Sequence, residues 1–213
     1  MSQAEPVRAP TSEAAGVRVR ILRGAAHAFG RLGFGATSVE AILEAAGVSR
    51  RTFYKTFRSK EDVLRVLFEN SVGMLLKAVT QAQRSKGSRE DRLDHAVGAY
   101  VRVHAEAGPL ARVLLLEQFS PGSPLAQQRE AAMATFSRLI GAAMSAQGQA
   151  GPDPILVRGV VAAINEIAVQ MATAHPEGDW DVARTKTAML RVLVALDERA
   201  DPKRWMASGK RAG

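Results

Sequence analysis

An all-α fold is predicted by three observations. Apolar residues recur at intervals of three and four along most of the 213-residue chain. No stretch alternates apolar and polar residues for long enough to make a strand. Clusters of Gly, Pro and Ser cut the pattern into segments of helical length. The length allows one sizeable domain, or a small domain fused to a larger one. The segments sort into an N-terminal module of three helices and a larger bundle of six.

Residues 1–16 are rich in Ala, Pro, Ser and Glu and hold no apolar signal core, so they read as a disordered N-terminal arm and not as a targeting peptide. Residues 17–64 form the first module. After a first helix that contains His27, Thr37 stands as N-cap with Glu40 three residues on, the capping-box spacing. Val39, Ile42 and Ala46 then repeat at helical intervals. Gly47 supplies a permissive backbone for a sharp turn, and Val48 can fill the wedge between two helices. Ser49 caps a short helix that turns Arg50, Arg51, Thr52, Tyr54 and Lys55 outward, while Phe53 and Phe57, four apart, share its inner side. Two short helices about a tight turn, the second basic on its outer side, read as a helix-turn-helix for the DNA major groove.

From Ser59 a long helix carries Val63, Leu64, Leu67, Phe68, Leu75 and Leu76 on one side and ends near 85–88. A helix at 89–107 stops at Gly108, and Pro109 suits the first turn of the next, which runs to about Phe119. SPGSP at 120–124 is a loop; 125–147 is helical; GQAGPDP at 148–154 is a break. Helices at 155–174 and 180–200 follow, divided by HPEGD at 175–179. Both are apolar around more than one stripe and must be buried on two sides. A core helix or a subunit interface would each satisfy that pattern. Residues 65–201 are thus assigned to the helical bundle, and 202–213 to a basic C-terminal tail.

Charge distribution says more than the net +8. Residues 17–65 hold ten Lys/Arg against four acids, a local +6, and 202–213 add four basic residues and no acid, so the rest of the chain is slightly acidic. A basic field concentrated on one module attracts a phosphate backbone. The absence of cysteine excludes disulfides, thiolate metal sites and cysteine nucleophiles, and is compatible with a cytoplasmic location. The most apolar stretch, 159–174, is interrupted by Asn165, Glu166 and Gln170, so it reads as a buried helix and no membrane partner is expected. Nothing calls for a cofactor or a metal: His95 and His104 are nine apart, His27 and His175 stand alone, and no phosphate loop or nucleophile elbow is present. Catalysis is not expected.

The segment from about Ile21 to Leu64 resembles the TetR family of transcriptional regulators. Phe29, Gly33 and Phe34 fall at the family's first-helix end, and Thr37, Ser38 and Val39 at its second-helix start. Ala46, Gly47, Val48 and Ser49 reproduce the turn. Thr52, Phe53, Tyr54, Phe57, Ser59, Lys60, Glu61 and Leu64 follow in register. Leu43, Arg51 and Thr56 depart from the common residues, which bears on the DNA sequence read. The resemblance implies a homodimer paired through the two C-terminal helices, a palindromic double-stranded DNA operator, and a small-molecule effector.

Arg50 and Arg51, in the first turn of the recognition helix, are assigned to base reading, where guanidiniums reach guanine O6 and N7. Lys55 can touch bases or phosphate. Thr37, Thr52 and Tyr54 offer hydroxyls at positions that grip phosphate in related proteins, and Lys60 adds a charge at the fourth-helix start. In the bundle, Tyr100, His104, Glu117, Met133, Phe136, Asn165, Glu166 and Gln170 are the candidate ligand contacts. Asn165 leads because an amide in an apolar helix is costly to bury without a partner; Glu166 also fits a structural ion pair. The expected function is a repressor released by a largely apolar molecule. A constitutive, architectural DNA-binding dimer is the alternative.

Overall fold

The computed structural model describes residues 12–144 and 152–195. Among them the elements are nine α-helices and no strand. The chain divides into two compact units, Met1–Leu67 and Phe68–Gly213. This boundary lies three residues beyond the Leu64 expected from the sequence. The basic tail at 202–213 lies outside the described residues.

The first unit contains α1 (Ser12–Leu32), α2 (Val39–Ala46), α3 (Arg50–Thr56) and the first two turns of α4 (Lys60–Gln83). α1 begins five residues inside the segment expected to be a disordered arm. The Ala and Glu that suggested disorder there are also strong helix formers, and the apolar Val17 and Ile21 that follow let a helix extend back through them. Ile21, Phe29, Ile42, Phe53, Val63 and Leu64 are fully buried and form the centre of the unit. Phe34 packs edge-on against Phe29 with ring centroids 5.5 Å apart. α1 and α2 cross in direct backbone contact: a Cβ on Gly24 would lie 2.6 Å from the Ala46 amide nitrogen and 2.8 Å from its Cα. Gly47 ends α2 in the left-handed region at φ +60°, and Ser49 caps α3 by accepting from the Thr52 amide at 3.1 Å.

The second unit holds the rest of α4 with α5 (Arg89–Ala107), α6 (Pro109–Glu117), α7 (Ala126–Met144), α8 (Pro154–Ala174) and α9 (Val182–Ala195). Ser88 and Asp91 close a capping box at the start of α5, where the Ser88 backbone and hydroxyl donors hold the Asp91 carboxyl below its ordinary range. α6 ends two residues before Phe119. The expected ends of the next and last helices, 145–147 and 196–200, lie outside the described residues. α5 packs on α9, and α8 packs on α6, α7 and α9. Their shared core is built from Val101, Leu115, Val160, Ala168, Met189 and Leu193. Gly178, at φ +89°, brings the α8–α9 loop onto the end of α5: a Cβ there would overlap the Ala105 carbonyl oxygen and stand 2.8 Å from the Gly108 Cα.

The Gly24 contact makes a clear prediction. Gly24→Ala should lower unfolding free energy by about 1–3 kcal/mol, because the added carbon meets backbone that cannot rotate away. Gly16→Ala, on the same helix with nothing within 4 Å of the new carbon, should be neutral or stabilising by up to ~1 kcal/mol. Denaturant unfolding of the two variants would measure both; equal effects would refute the close-packing account.

Candidate functional site

α3 presents the candidate nucleic-acid face. Its single buried residue, Phe53, stacks toward Phe57 at 6.1 Å, and this orientation turns Arg50, Arg51, Tyr54 and Lys55 to solvent. Arg51 and Lys55 have no hydrogen-bond or ion-pair partner among the described residues. Tyr54 lies edge-on to Phe53 at 5.3 Å with its hydroxyl unpaired. Arg50 is ion-paired to Glu40 of α2, but both side chains are about 60% exposed, so water screens the pair and the guanidinium can exchange partners cheaply.

Two of the expected phosphate contacts, Thr37 and Lys60, are engaged within the protein. Thr37 is buried, and its hydroxyl donates to the Gly33 carbonyl at 2.6 Å, with the Ala28 carbonyl at 3.3 Å. The cap of α2 is the next residue, Ser38, whose oxygen accepts from the Ala41 amide at 3.2 Å. Glu40 therefore pairs with Arg50 and closes no capping box. Lys60 is likewise turned inward. Its ammonium donates to the carbonyls of Phe34 at 2.9 Å, Gly35 at 3.2 Å and Thr37 at 2.8 Å, and lies 4.6 Å from the centre of the Phe34 ring. An ammonium has three donors, and all three are engaged. The Thr52 hydroxyl shares a 2.8 Å hydrogen bond with Ser49 and keeps an open side. Hydroxyl and ammonium groups at a loop look alike in sequence whether they face solvent or satisfy the loop's own carbonyls.

The second unit contains a cavity of about 110 Å³. Its wall is mostly apolar and draws on α4 to α9. Of the candidate ligand contacts, Tyr100, His104, Met133, Phe136 and Asn165 line it. Glu117, Glu166 and Gln170 do not. Gln170 donates to Glu166 at 2.7 Å on the exposed side of α8, one turn apart. At the end of α6 it is Gln118, not Glu117, whose side chain reaches the cavity. Gln118, Arg129, Ser71 and Gln83 are the polar lining residues that the sequence reading missed. Arg129 had a signal: it lies four residues before Met133 and seven before Phe136, on their helical stripe.

The polar groups in this wall are short of partners. Neither the Asn165 amide nor the Tyr100 hydroxyl makes a hydrogen bond among the described residues, and burial pushes the Tyr100 phenol above its ordinary range. His104 is buried, with its ring stacked on Trp180 at 5.8 Å and beside Tyr100 at 4.5 Å. Its Nδ1 donates to the Tyr100 carbonyl at 3.0 Å, which leaves Nε2 as an acceptor. Burial pushes its pKa down to about 4, against a smaller upward pull from that carbonyl. No group of three or more His, Asp or Glu is placed to hold a metal among the described residues. The other histidines are dispersed: His95 contacts Ser85 at 3.1 Å, and His175 sits 3.6 Å from Asp179.

Residues 21–67 match a family model described as bacterial regulatory proteins of the tetR family. Over 99 residues, 46% of this chain, the sequence is 26% identical to the fatty acid metabolism regulator protein of Bacillus subtilis (strain 168), and the chain spans about half the length of that relative, 51%. A solved tetR-family regulatory protein from Rhodococcus RHA1 is 26% identical, with a TM-score of 0.63 over 86% of this chain and 98% of that one. The regulator FadR from Bacillus subtilis, solved with stearoyl-CoA, has a TM-score of 0.70 at 21% identity over 83% of this chain and 97% of its own, a likeness of fold.

Two predictions follow from the corrected geometry. Lys60→Met should lower the melting temperature, by several degrees, because three loop carbonyls lose their donor, whereas Arg51→Ala and Lys55→Ala should leave it within a degree or two. Calorimetry of the three variants decides between anchor and surface residue. For His104, the unfolded chain titrates near 6.5 and the folded chain near 4. Its contribution is therefore fully present above pH 6.5 and is lost as pH falls toward 4, amounting to about 3 kcal/mol. His104→Gln should flatten the fall in stability between pH 6.5 and 4.5; parallel pH curves would place the cause elsewhere.

Proposed function

We propose that the chain is a regulator of the TetR family, a cytoplasmic transcriptional repressor that a small, largely apolar molecule releases from its operator. The observation that carries this reading is α4. One helix begins in the helix-turn-helix unit, where Lys60 secures the loop before α2, and its later turns, from Phe68 to Gln83, form part of the cavity wall. A ligand that favours one position of those later turns acts on an element shared with the DNA-binding unit. Its effect on operator affinity equals its differential affinity for the two states.

The operator reading rests on Arg50, Arg51 and Lys55 for base edges and nearby phosphates, with Tyr54 and Thr52 as hydroxyl contacts to the backbone. A homodimer places two such faces about one DNA turn, ~34 Å, apart, so that a palindrome is read twice. Support for dimerisation comes from α8. It has the length and apolarity of a membrane-crossing helix, yet only 33% of its most apolar window is buried, with Ile155 82% exposed. A second copy laid on that side covers it, and Asn165, Glu166 and Gln170 within the same helix speak against lipid as the cover. The effector reading draws on the cavity and on the stearoyl-CoA of the Bacillus subtilis FadR structure, which makes an acyl chain the first class to examine.

DNA selected from a random pool should carry an inverted repeat, and its affinity should fall steeply with salt as phosphate contacts release counterions. Arg51→Ala should cost about 1–3 kcal/mol on that site and relax preference at particular bases. Long-chain acyl compounds should release the wild-type protein from the site, and Asn165→Ala should need more of them for the same release. DNA binding without any releasing compound would favour the constitutive, architectural role; a salt-independent affinity would defeat the DNA-binding role itself.

A further inference from the structure

Arg129 is the single charged residue in the cavity wall among the described residues, and it is without a counter-ion. Its Nε is buried with no hydrogen-bond partner, and its guanidinium lies over the Phe119 ring at 5.2 Å. The neighbouring carboxylate is not free to serve: Glu130 is held by Arg158 through contacts of 2.7 and 2.9 Å. Glu117, on the preceding helix, does not reach the cavity. A buried donor of a cation left unpaired in an apolar wall carries a desolvation cost that an incoming anion can offset.

Position and shape add to the charge. Phe119 is 52% exposed, so the guanidinium that covers it stands near the rim of the cavity. Gln118, next to Phe119, lines the same end; its Nε2 donates to the Leu115 carbonyl at 3.1 Å, leaving its Oε1 to accept. From Arg129 the lining runs down one side of α7 through Met133 and Phe136 to Ile140, eleven residues or ~16 Å of helix. The wall is thus an apolar track with one cationic end.

We infer that the effector has an anionic head on an extended apolar chain, and that Arg129 reads the head at the rim while the α4 and α7 walls take the chain. This rests on the cavity being the effector site proposed above. It adds that an uncharged molecule of the same length is a poor ligand. The head can be a carboxylate, a phosphate monoester or the phosphates of a coenzyme A thioester, since each offers oxygens to the same guanidinium.

Calorimetric titration of the full chain with dodecanoate, dodecyl phosphate, dodecanoyl-coenzyme A and 1-dodecanol, each below the concentration at which it aggregates, tests the assignment. At least one anionic probe should bind about tenfold or more tighter than 1-dodecanol, and the preferred one identifies the head. Arg129→Met and Arg129→Gln should abolish that advantage while 1-dodecanol affinity stays within about threefold, which also shows that the cavity has kept its fold; Arg129→Lys should retain part of it. Equal binding of 1-dodecanol and the anions by the wild type, or a preference that survives in both neutral variants, would overturn the role of Arg129 and leave the effector site standing. Binding of none of the four would overturn both.

Discussion

The helix-turn-helix depends on a small polar knot between α1 and α2. The chain reverses there through Gly33, Phe34 and Gly35, and three of the carbonyls in that reversal point at one ammonium, that of Lys60. Thr37 ties a fourth carbonyl, Gly33, from the inside. Loop carbonyls left unsatisfied beside a packed aromatic pair would cost several times what a single solvent-facing ion pair contributes. Because Lys60 is the first residue of α4, the same contacts locate the start of that helix against the start of α2. The orientation of α3 then follows, since Phe53 and Phe57 can be buried only with its basic side outward.

A consequence is that the basic count of the first unit overstates the charge left free to meet an anion. Lys60 is spent on carbonyls, Arg18 lies over the Phe57 ring at 4.8 Å, and Arg50 shares its charge with Glu40. On α3, Arg51 and Lys55 have no such partner among the described residues. An arginine that must leave a carboxylate to meet a guanine discriminates through the difference between two partners, whereas an unengaged one contributes its whole interaction.

Helix order was legible in the sequence because it depends on local signals: Gly47, Ser49, Ser88, Gly108 and Pro109 each act within a turn of their own position. The inward face of α3 was legible from Phe53 and Phe57 for the same reason. The partners of Thr37 and Lys60 were not legible because they lie in a loop that the 3.6-residue period does not describe; Lys60 is 23 to 26 residues from the carbonyls it meets. The cavity was half legible. Met133, Phe136 and Asn165 share apolar stripes, so periodicity places them. Glu117 and Gln118 differ by one residue, about 100° of helix, and only the packed structure decides which turns inward. Gly24 was invisible, since a glycine in a helix announces nothing about the backbone crossing it.

The contact of Gly178 with Ala105 and Gly108 gives the second unit an asymmetric stiffness. His104, in the cavity wall, directly precedes Ala105, and Trp180, stacked on it, lies two residues after Gly178. At this end two backbones touch with no side chain between them, so there is nothing to rotate aside. Elsewhere in the wall the lining is made of side chains, Gln118 and Arg129 among them, beside a short loop. Side chains can rotate where touching backbones cannot, so of these two parts of the unit the one beside Gln118 and Arg129 is the more yielding.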